Sequence, residues 1–472
     1  MAEHTVTQIY ADWVAQAPAS WPAPALESAH RELIDTVAVM LPGALEPATR
    51  NALATVKLWC GEQARQAAHV IGHPQPLPLP WAALVNGTAG HALDYDDNFD
   101  PPKAHASTVL FPAILAQADV LHSSGQQVLD AYIVGLQIMG RIGQGVNPTH
   151  RDRGWHATAT VGVFGAAAAC ARLLRLDATQ TAHALSLASS MSSGFMSQFG
   201  TMTKPLHAGL AAMRGIMAAT LAQQGMQAGM HTLDGQHGMN TLMVGPDREQ
   251  LKAGLTGAEH GQTLSFNLQP VGEPLLITRH GYRVKRFPNC GSAHRAMDLL
   301  LQIMQQQQLG GDDIVRIEVH APAANLNNLF HHRPQTGLQA KFSMHYALAC
   351  LLEHGRAGLA DFTDAAVQRP EVLRHCDKIQ LFPRHTLESV TPTELRVHCA
   401  DGSCHHAETM MPKGSIQDPF PTSQYWQKFE ECCSGLLDAT QQQALRQALE
   451  HFPVLAHSSE VTSLFADISI PA

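Results

Sequence analysis

Four short clusters in this 472-residue chain bring together side chains that can do chemistry. The first reads NGTAGHALDYDDN from Asn86 to Asn98 and is followed by His105-Ala106-Ser107. Asp94, Asp96 and Asp97 repel one another at such short range, so they either cap helices in solvent or are compensated by a cation or a shared proton. If a helix runs through them, Asp94 and Asp97 share a face and Asp96 points elsewhere. The second cluster, Arg151-Asp152-Arg153-Gly154-Trp155-His156, opens a Gly/Ala-rich helix. An imidazole at a helix N-terminus favours its neutral form, and the backbone N–H groups there point at anions.

The third cluster is Gly200-Thr201-Met202-Thr203-Lys204-Pro205-Leu206-His207-Ala208-Gly209. Lys204 at the entry to a helix suits either a carboxylate clamp or a lysine of lowered pKa. The fourth is Lys285-Arg286-Phe287-Pro288-Asn289-Cys290-Gly291-Ser292-Ala293-His294, two adjacent cations and a thiol at an expected strand-to-helix turn. It fits an anion site, although burial as a small hydrophobe is the commonest role of such a cysteine. Each cluster also has a purely structural reading as a cap, a solvated charge or a packing residue.

The elements that must position these residues follow from periodicity. Residues 1 to about 265 read as helices, with apolar side chains at three- and four-residue spacings over 25–39, 52–60, 81–92, 128–142, 161–176 and 210–223. Near Gln269 the character changes: 275–283 reads as a strand, 292–306 as a helix, and 314–320 and 395–399 alternate with period two. Asp401-Gly402 marks a hairpin turn into 405–411. From Ser423 the chain reads as helical again. The expected fold is mainly α with an α+β insertion. A large discontinuous all-helical domain (1–268), a smaller α+β domain (269–415) and C-terminal helices (416–472) that rejoin the first domain make it up. A crevice between the domains is the default place for a site.

Composition narrows the function classes. A net charge of −9 argues against a general nucleic-acid binder, while a local cluster of Lys, Arg and His can still oppose that charge for a small anion. No apolar run reaches the roughly 18 residues of a membrane span. The first residues lack the basic and apolar stretches of a secretory signal. Nine scattered cysteines without a C-x-x-C pair read neither as a disulfide framework nor as a cluster site, so the cytoplasm is the expected compartment. The 28 histidines contain no H-E-x-x-H or similar ligand spacing, so no metal is expected.

Taken in order and spacing, the stretches NGTAGHALDYDDN…HAST, GWHATATVGVFGAAAA, GTMTKPLHAGLAA, VKRFPNCGSAHRAMD, AKFSMHYALA and PKGS resemble the MmgE/PrpD family. That family includes 2-methylcitrate dehydratase, cis-aconitate decarboxylase and an iminodisuccinate epimerase. The resemblance covers most of residues 80–415 and implies a large helical domain, a smaller α+β domain, a homodimer and catalysis without metal or organic cofactor. It implies catalytic roles for Asp94, His105, His156, Lys204, Lys285 and Tyr346, and substrate contacts for Asn98, His207, Arg286, Cys290 and His294. The chain departs from the decarboxylase-like pattern in two places. Asn98 stands where those members have threonine, and Cys290 stands where they have a catalytic histidine.

The chemistry so implied is removal of a proton beside a carboxylate of a small polycarboxylic acid. The intermediate piles charge next to an existing anion, which fixed cations in a dry site stabilise best. Lys204 and Lys285 are the expected carboxylate grips, and His156 is the first choice as general base or acid. Asp94 is expected to orient a histidine, most simply His105, or to act as the second proton-transfer group. Loss of a β-hydroxyl, loss of carbon dioxide and reprotonation on the other face are three exits from one intermediate. The leading expectation is a 2-methylcitrate dehydratase-like hydro-lyase, with an isomerase or epimerase of an iminodisuccinate- or aconitate-like acid as alternative. A metal-dependent hydrolase using His91, Asp94, Asp97 and His105, and a non-catalytic homologue, are the readings from other classes.

Overall fold

The computed structural model describes residues 4–60, 66–234, 237–244, 266, 270–385 and 391–468. By compactness the chain divides into a unit of residues 1–92, 96–282 and 425–472 and a second unit of residues 93–95 and 283–424. The expected change of character at 268–269 lies outside the described residues.

The larger unit is helical. Its elements are α1 (Val6–Gln16), α2 (Ala23–Gly43), α3 (Pro47–Trp59), α4 (Leu79–Ala92), α5 (Ser107–Leu121), α6 (Gly125–Val146) and two four-residue turns, α7 (Thr149–Asp152) and α8 (Ala157–Thr160). They are followed by α9 (Gly162–Leu173), α10 (Ala178–Ser189) and α11 (Thr203–Gln223). Starts are set by local chemistry. Thr5, Ser124 and Asp177 form capping boxes with Gln8, Gln127 and Gln180, so two orphan amides are satisfied at each helix start. Small residues decide how closely the helices approach. A Cβ on Gly209 of α11 would lie 2.1 Å from the Leu84 carbonyl oxygen and 2.5 Å from Thr88 Oγ1, both on α4. The Gly/Ala run of α11 is therefore what lets these two helices touch along their backbones.

One element was not expected in this stretch: β1 (Ala67–Val70) pairs antiparallel with β2 (His73–Pro78). Residues 275–283, expected as a strand, instead hold a single helical turn at Leu276–Arg279. Gln137 Oε1 on α6 accepts from the Leu276 amide at 2.8 Å, and such tertiary contacts decide the state of a short apolar run that periodicity leaves ambiguous.

The smaller unit is an α+β body. Its four-stranded sheet has the order β4-β3-β5-β6, from β3 (Ile314–Pro322), β4 (Ile379–Arg384), β5 (Thr393–Cys399) and β6 (Cys404–Thr409). The β3–β4 pair is parallel, and β3–β5 and β5–β6 are antiparallel. Gly402, at φ +90°, makes the tight turn between β5 and β6 that Asp401-Gly402 predicts. Ile317, Val319, Leu395 and Val397 of the sheet form one core with Met297 and Leu300 of α12 (His294–Gln307) and Leu348 and Leu351 of α13 (Met344–His354). In the C-terminal segment, α14 (Thr422–Cys433) and α15 (Ala439–Glu450) complete the chain's longer helices. Among the described residues, no helix is long and apolar enough to cross a membrane.

Candidate active site

In the helical unit the chemistry collects where α4 ends. His91 occupies the last turn of α4, and its side chain is fully buried. The helix stops at Ala92, and Asp94 takes the left-handed conformation at φ 53°, which aspartate tolerates better than most residues. The three acids therefore do not follow helical spacing. His91 Nδ1 meets Asp96 Oδ2 at 2.8 Å, and His105 Nδ1 lies 3.2 Å from the same oxygen. Asp96, expected to point away, is thus the carboxylate beside His105. Burial opposes its charge, but the two imidazoles outweigh that and hold its carboxyl well below the usual range. His91 is pushed down to about 3, chiefly by burial, and is neutral at pH 7.

Asp97 turns into the core. Its Oδ1 accepts from the Ser107 amide at 3.2 Å, and Ser107 Oγ, Tyr132 and Tyr282 continue a line of hydroxyl contacts. Burial and the nearby carboxylates of Asp96 and Asp35 push Asp97 up to about 8. Glu32 on α2 is pushed well above its ordinary range by burial and by Asp97 and Asp35. Lys428 Nζ on α14 sits 2.7 Å from Asp35 Oδ1 and supplies a cation to this group of acids.

A second part of the site comes from the starts of α8 and α11. The His156 amide donates to the Gly194 carbonyl at 3.0 Å, and the His156 carbonyl accepts from Ala159 and Thr160, which fixes the residue at the N-cap of α8. Its Nδ1 lies 3.0 Å from Nδ1 of His207, one turn into α11. Burial, followed by His91, pushes His156 well down, and burial also pushes His207 to about 4. Two neutral imidazoles meeting Nδ1 to Nδ1 share one proton, so either ring can be the donor. Lys204, the second residue of α11, is buried with its ammonium 5.4 Å from the Phe199 ring centre.

The four imidazoles form a row. Ring centres are 4.4 Å apart for His105–His91, 6.0 Å for His91–His156 and 5.3 Å for His156–His207. Among the described residues, His91 Nε2, His156 Nε2 and Asp96 Oδ1 are buried atoms without a hydrogen-bond partner. Buried polar atoms are rarely left so, and they mark where water or a ligand completes a site. His105 is the partly open member of the His91–Asp96–His105 group, its side chain 13% exposed.

As a metal centre the arrangement is different from the one expected. Asp97 is not among the ligand-type groups and Asp96 takes its place; His91, Asp94, Asp96 and His105 each offer a donor atom within 4.8 Å of the others. His91 Nδ1 is already engaged with Asp96 Oδ2, so an ion bound through that nitrogen would have to displace the contact.

In the smaller unit, Lys285 is buried and donates from Nζ to both the backbone carbonyl (2.7 Å) and Oδ1 (2.9 Å) of Asp94. Asp94 Oδ1 thus pairs with the Lys285 ammonium. The neighbouring backbone is pinned by the PKGS loop, whose Gly414 carbonyl accepts from the Val284 amide at 2.9 Å. Arg286 Nη1 donates to Asp298 Oδ1 at 3.0 Å, and the Lys413 amide donates to Asp298 Oδ2 at 2.9 Å. Cys290 is half-buried, its amide donating to the Lys341 carbonyl. His294 is buried, meets Asn289 Oδ1 at 2.8 Å and is pushed down to about 3 by burial and by Lys285. Tyr346 is fully buried, and its hydroxyl donates to the Asp361 carbonyl at 2.6 Å. Asn98 is half-buried beside Asp97.

His91 and Asp96 are residues of this cluster that the sequence did not single out as site residues of the proton chemistry. A histidine five residues before an aspartate carries no signal unless the helix end between them is known.

Comparisons with known proteins bear on the family of the chain. The model of the MmgE/PrpD N-terminal domain matches residues 8–252, and that of the MmgE/PrpD C-terminal domain matches residues 287–452. Cis-aconitate decarboxylase of Homo sapiens is 27% identical over 408 residues, covering 84% of this chain and 81% of that protein. The enzyme of the same name from Aspergillus terreus is 26% identical over 448 residues, covering 88% and 86%. A cis-aconitate decarboxylase-like protein of Aspergillus oryzae is 25% identical, covering 98% of both chains. The two decarboxylases are lyases. With family models matching most of its length, this chain belongs to the MmgE/PrpD family.

Proposed function

We propose that the protein is a lyase that moves a proton beside a carboxylate of a small polycarboxylic acid, using side chains alone. The observation that supports this most is the row of His105, His91, His156 and His207 with Asp96 between the first two. Imidazoles can take up and give back a proton, and the row lies in a buried region together with the ammonium of Lys204, which supports the reading. A neutral imidazole takes the carbon-bound proton as the C–H pair moves toward the carboxylate. Lys204 opposes the second negative charge as it forms. The family resemblance also makes Lys285, paired with Asp94 in the smaller unit, a carboxylate-gripping cation.

For the step that follows, we favour loss of a β-hydroxyl: the electron pair forms the carbon–carbon double bond and hydroxide leaves with a proton as water. Cys290 supports this choice, because decarboxylase-like relatives carry a catalytic histidine at the matching place. His294 does not substitute for it, being buried, committed to Asn289 and not imidazolium at neutral pH. A second reading, decarboxylation of cis-aconitate, is favoured by the names of the relatives above. There the carbon–carboxylate bond breaks, its electron pair shifts the double bond, and a proton is added to carbon.

Purified protein given citrate- and 2-methylcitrate-type acids should produce alkene absorbance. Carbon dioxide from cis-aconitate in place of that absorbance replaces the dehydratase reading by the decarboxylase one. The absence of turnover and of solvent-deuterium exchange with every acid of this class would remove the lyase reading itself. The family resemblance also supports a homodimer, which light scattering of the purified protein tests.

A further inference from the structure

We propose that His207 is the proton relay of His156: a proton taken up at Nε2 of His156 leaves that ring through its Nδ1 and passes to Nδ1 of His207. The proposal rests on the lyase reading above and deepens it by naming the accepting atom and the path that resets the base. The two Nδ1 atoms lie 3.0 Å apart, and both rings are buried in the helical unit. A neutral imidazole has one N–H and one acceptor nitrogen, so this contact holds a single proton, one ring donating and the other accepting. When His156 donates, its Nε2 is bare. That atom is buried and has no hydrogen-bond partner, which marks it as a place that a ligand completes.

The transfer balances in three steps. Nε2 of His156 takes the carbon-bound proton while the C–H electron pair stays with the substrate, and His156 becomes an imidazolium. Its Nδ1–H bond then breaks, the pair staying on nitrogen, and the proton bonds to Nδ1 of His207. His207, now the imidazolium, gives its Nε2 proton to water. The charges around the pair favour this direction. A charge on His156 is opposed by burial and by His91, Lys204, His207 and His105. His207 is the more open ring, 7% exposed against 3%, and is pushed down to about 4 by burial, Arg214 and Lys204, so it accepts a proton briefly and releases it. The rings are held from separate elements. His156 is fixed by its amide on the Gly194 carbonyl at 3.0 Å and by Thr160 Oγ1 on its own carbonyl at 3.2 Å, whereas His207 belongs to α11. Gly194 also borders the contact, since a Cβ there would lie 3.4 Å from His207 Nδ1. His207 acts through His156 and is a positioning residue, not the substrate contact that the resemblance implies.

The test joins histidine nitrogen NMR at neutral pH to the fate of a label. Resonances of the pair are assigned by their loss in His156→Gln and His207→Gln. The wild-type spectrum should show one proton shared between the two Nδ1 atoms. With a polycarboxylic acid deuterated at the carbon beside the carboxylate, the wild type should release deuterium to water on each turnover. In His207→Gln the label stays on His156 and returns to carbon, so kcat should fall about 10²-fold with KM little changed, and recovered substrate should keep more deuterium. Added imidazole should restore both rate and label release to His207→Ala. A wild-type spectrum with a proton on both Nδ1 atoms, or on neither, overturns the proposal whether or not any acid is turned over. So does a folded His207→Gln protein that turns over more slowly yet releases the label as completely as the wild type. A shared proton without turnover of any polycarboxylate removes the lyase reading and leaves the histidine pair standing.

Discussion

Replacing Asp97 by Asn is expected to make the protein more stable in mildly alkaline solution. Asp97 is buried among Glu32 and Asp35 of α2, Asp96, Ser107 of α5, Tyr132 of α6 and Tyr282, with Lys428 of α14 the cation of the group. Burial, Asp96 and Asp35 raise its carboxyl to about 8 from an ordinary value of 3.8. Between those two values the folded state holds a proton that the unfolded state has lost, so stability falls as pH rises through the window. The difference is about four units, and at about 1.4 kcal/mol per unit the full penalty above pH 8 is on the order of 5 kcal/mol. Relaxation and proton sharing with Glu32 reduce that figure, so roughly 2–5 kcal/mol is the expected gain. Asn retains the oxygen that accepts from the Ser107 amide and removes only the titration. The assay is denaturant unfolding of wild type and Asp97→Asn from pH 5 to pH 9. At pH 5, already above 3.8, the variant should be somewhat the more stable, and the gap should widen progressively up to pH 8. Parallel curves, or a variant less stable by the same amount throughout, would refute the reasoning. Contributions of the lowered histidines are common to both proteins and cancel in the difference.

Gly209→Ala places a methyl 2.1 Å from the Leu84 carbonyl oxygen, so α4 and α11 must part, and a loss of about 1–3 kcal/mol or more should appear in the unfolding midpoint. Gly229→Ala, where an added Cβ meets nothing within 4 Å, is the control and should be near neutral. Lys428→Met removes the cation 2.7 Å from Asp35; because one partner of a buried pair is left behind, about 3–5 kcal/mol of stability should be lost near neutral pH, and lowering the pH should restore part of it. Incubation with a strong chelator followed by metal analysis should leave turnover unchanged, since His91 Nδ1 is already engaged with Asp96; activity restored only by an added divalent ion would favour the metal reading.

The parts of the fold that were legible in the sequence are those where one periodicity runs long enough to be unambiguous. The three- and four-residue spacing over 25–39 corresponds to α2, and the alternation at 395–399 with Asp401-Gly402 corresponds to β5 and its turn into β6. The β1–β2 hairpin escaped because β2 reads HPQPLP, and three prolines argue against a strand unless it is short and at an edge. β4 escaped for a similar reason: IQLFPR is short, contains Pro383 and pairs in parallel only on one side. At the candidate site, the motif residues His105, His156, Lys204 and Lys285 were legible from type and spacing. Their partners were not. Which of three neighbouring acids faces His105 depends on α4 stopping at Ala92 and on Asp94 turning left-handed, and neither is written in a periodicity.

Buried imidazoles are proposed to move a proton at the carbon beside a carboxylate, and this step is open to direct observation. It is tested most directly by following solvent-deuterium entry into a polycarboxylic acid by proton NMR, with chelator-treated wild type, His105→Gln and His156→Gln side by side. Deuterium is expected at that carbon with the wild type, with a fall of about 10²-fold or more in either variant while the fold is kept. Exchange or turnover at the wild-type rate in both variants would contradict it.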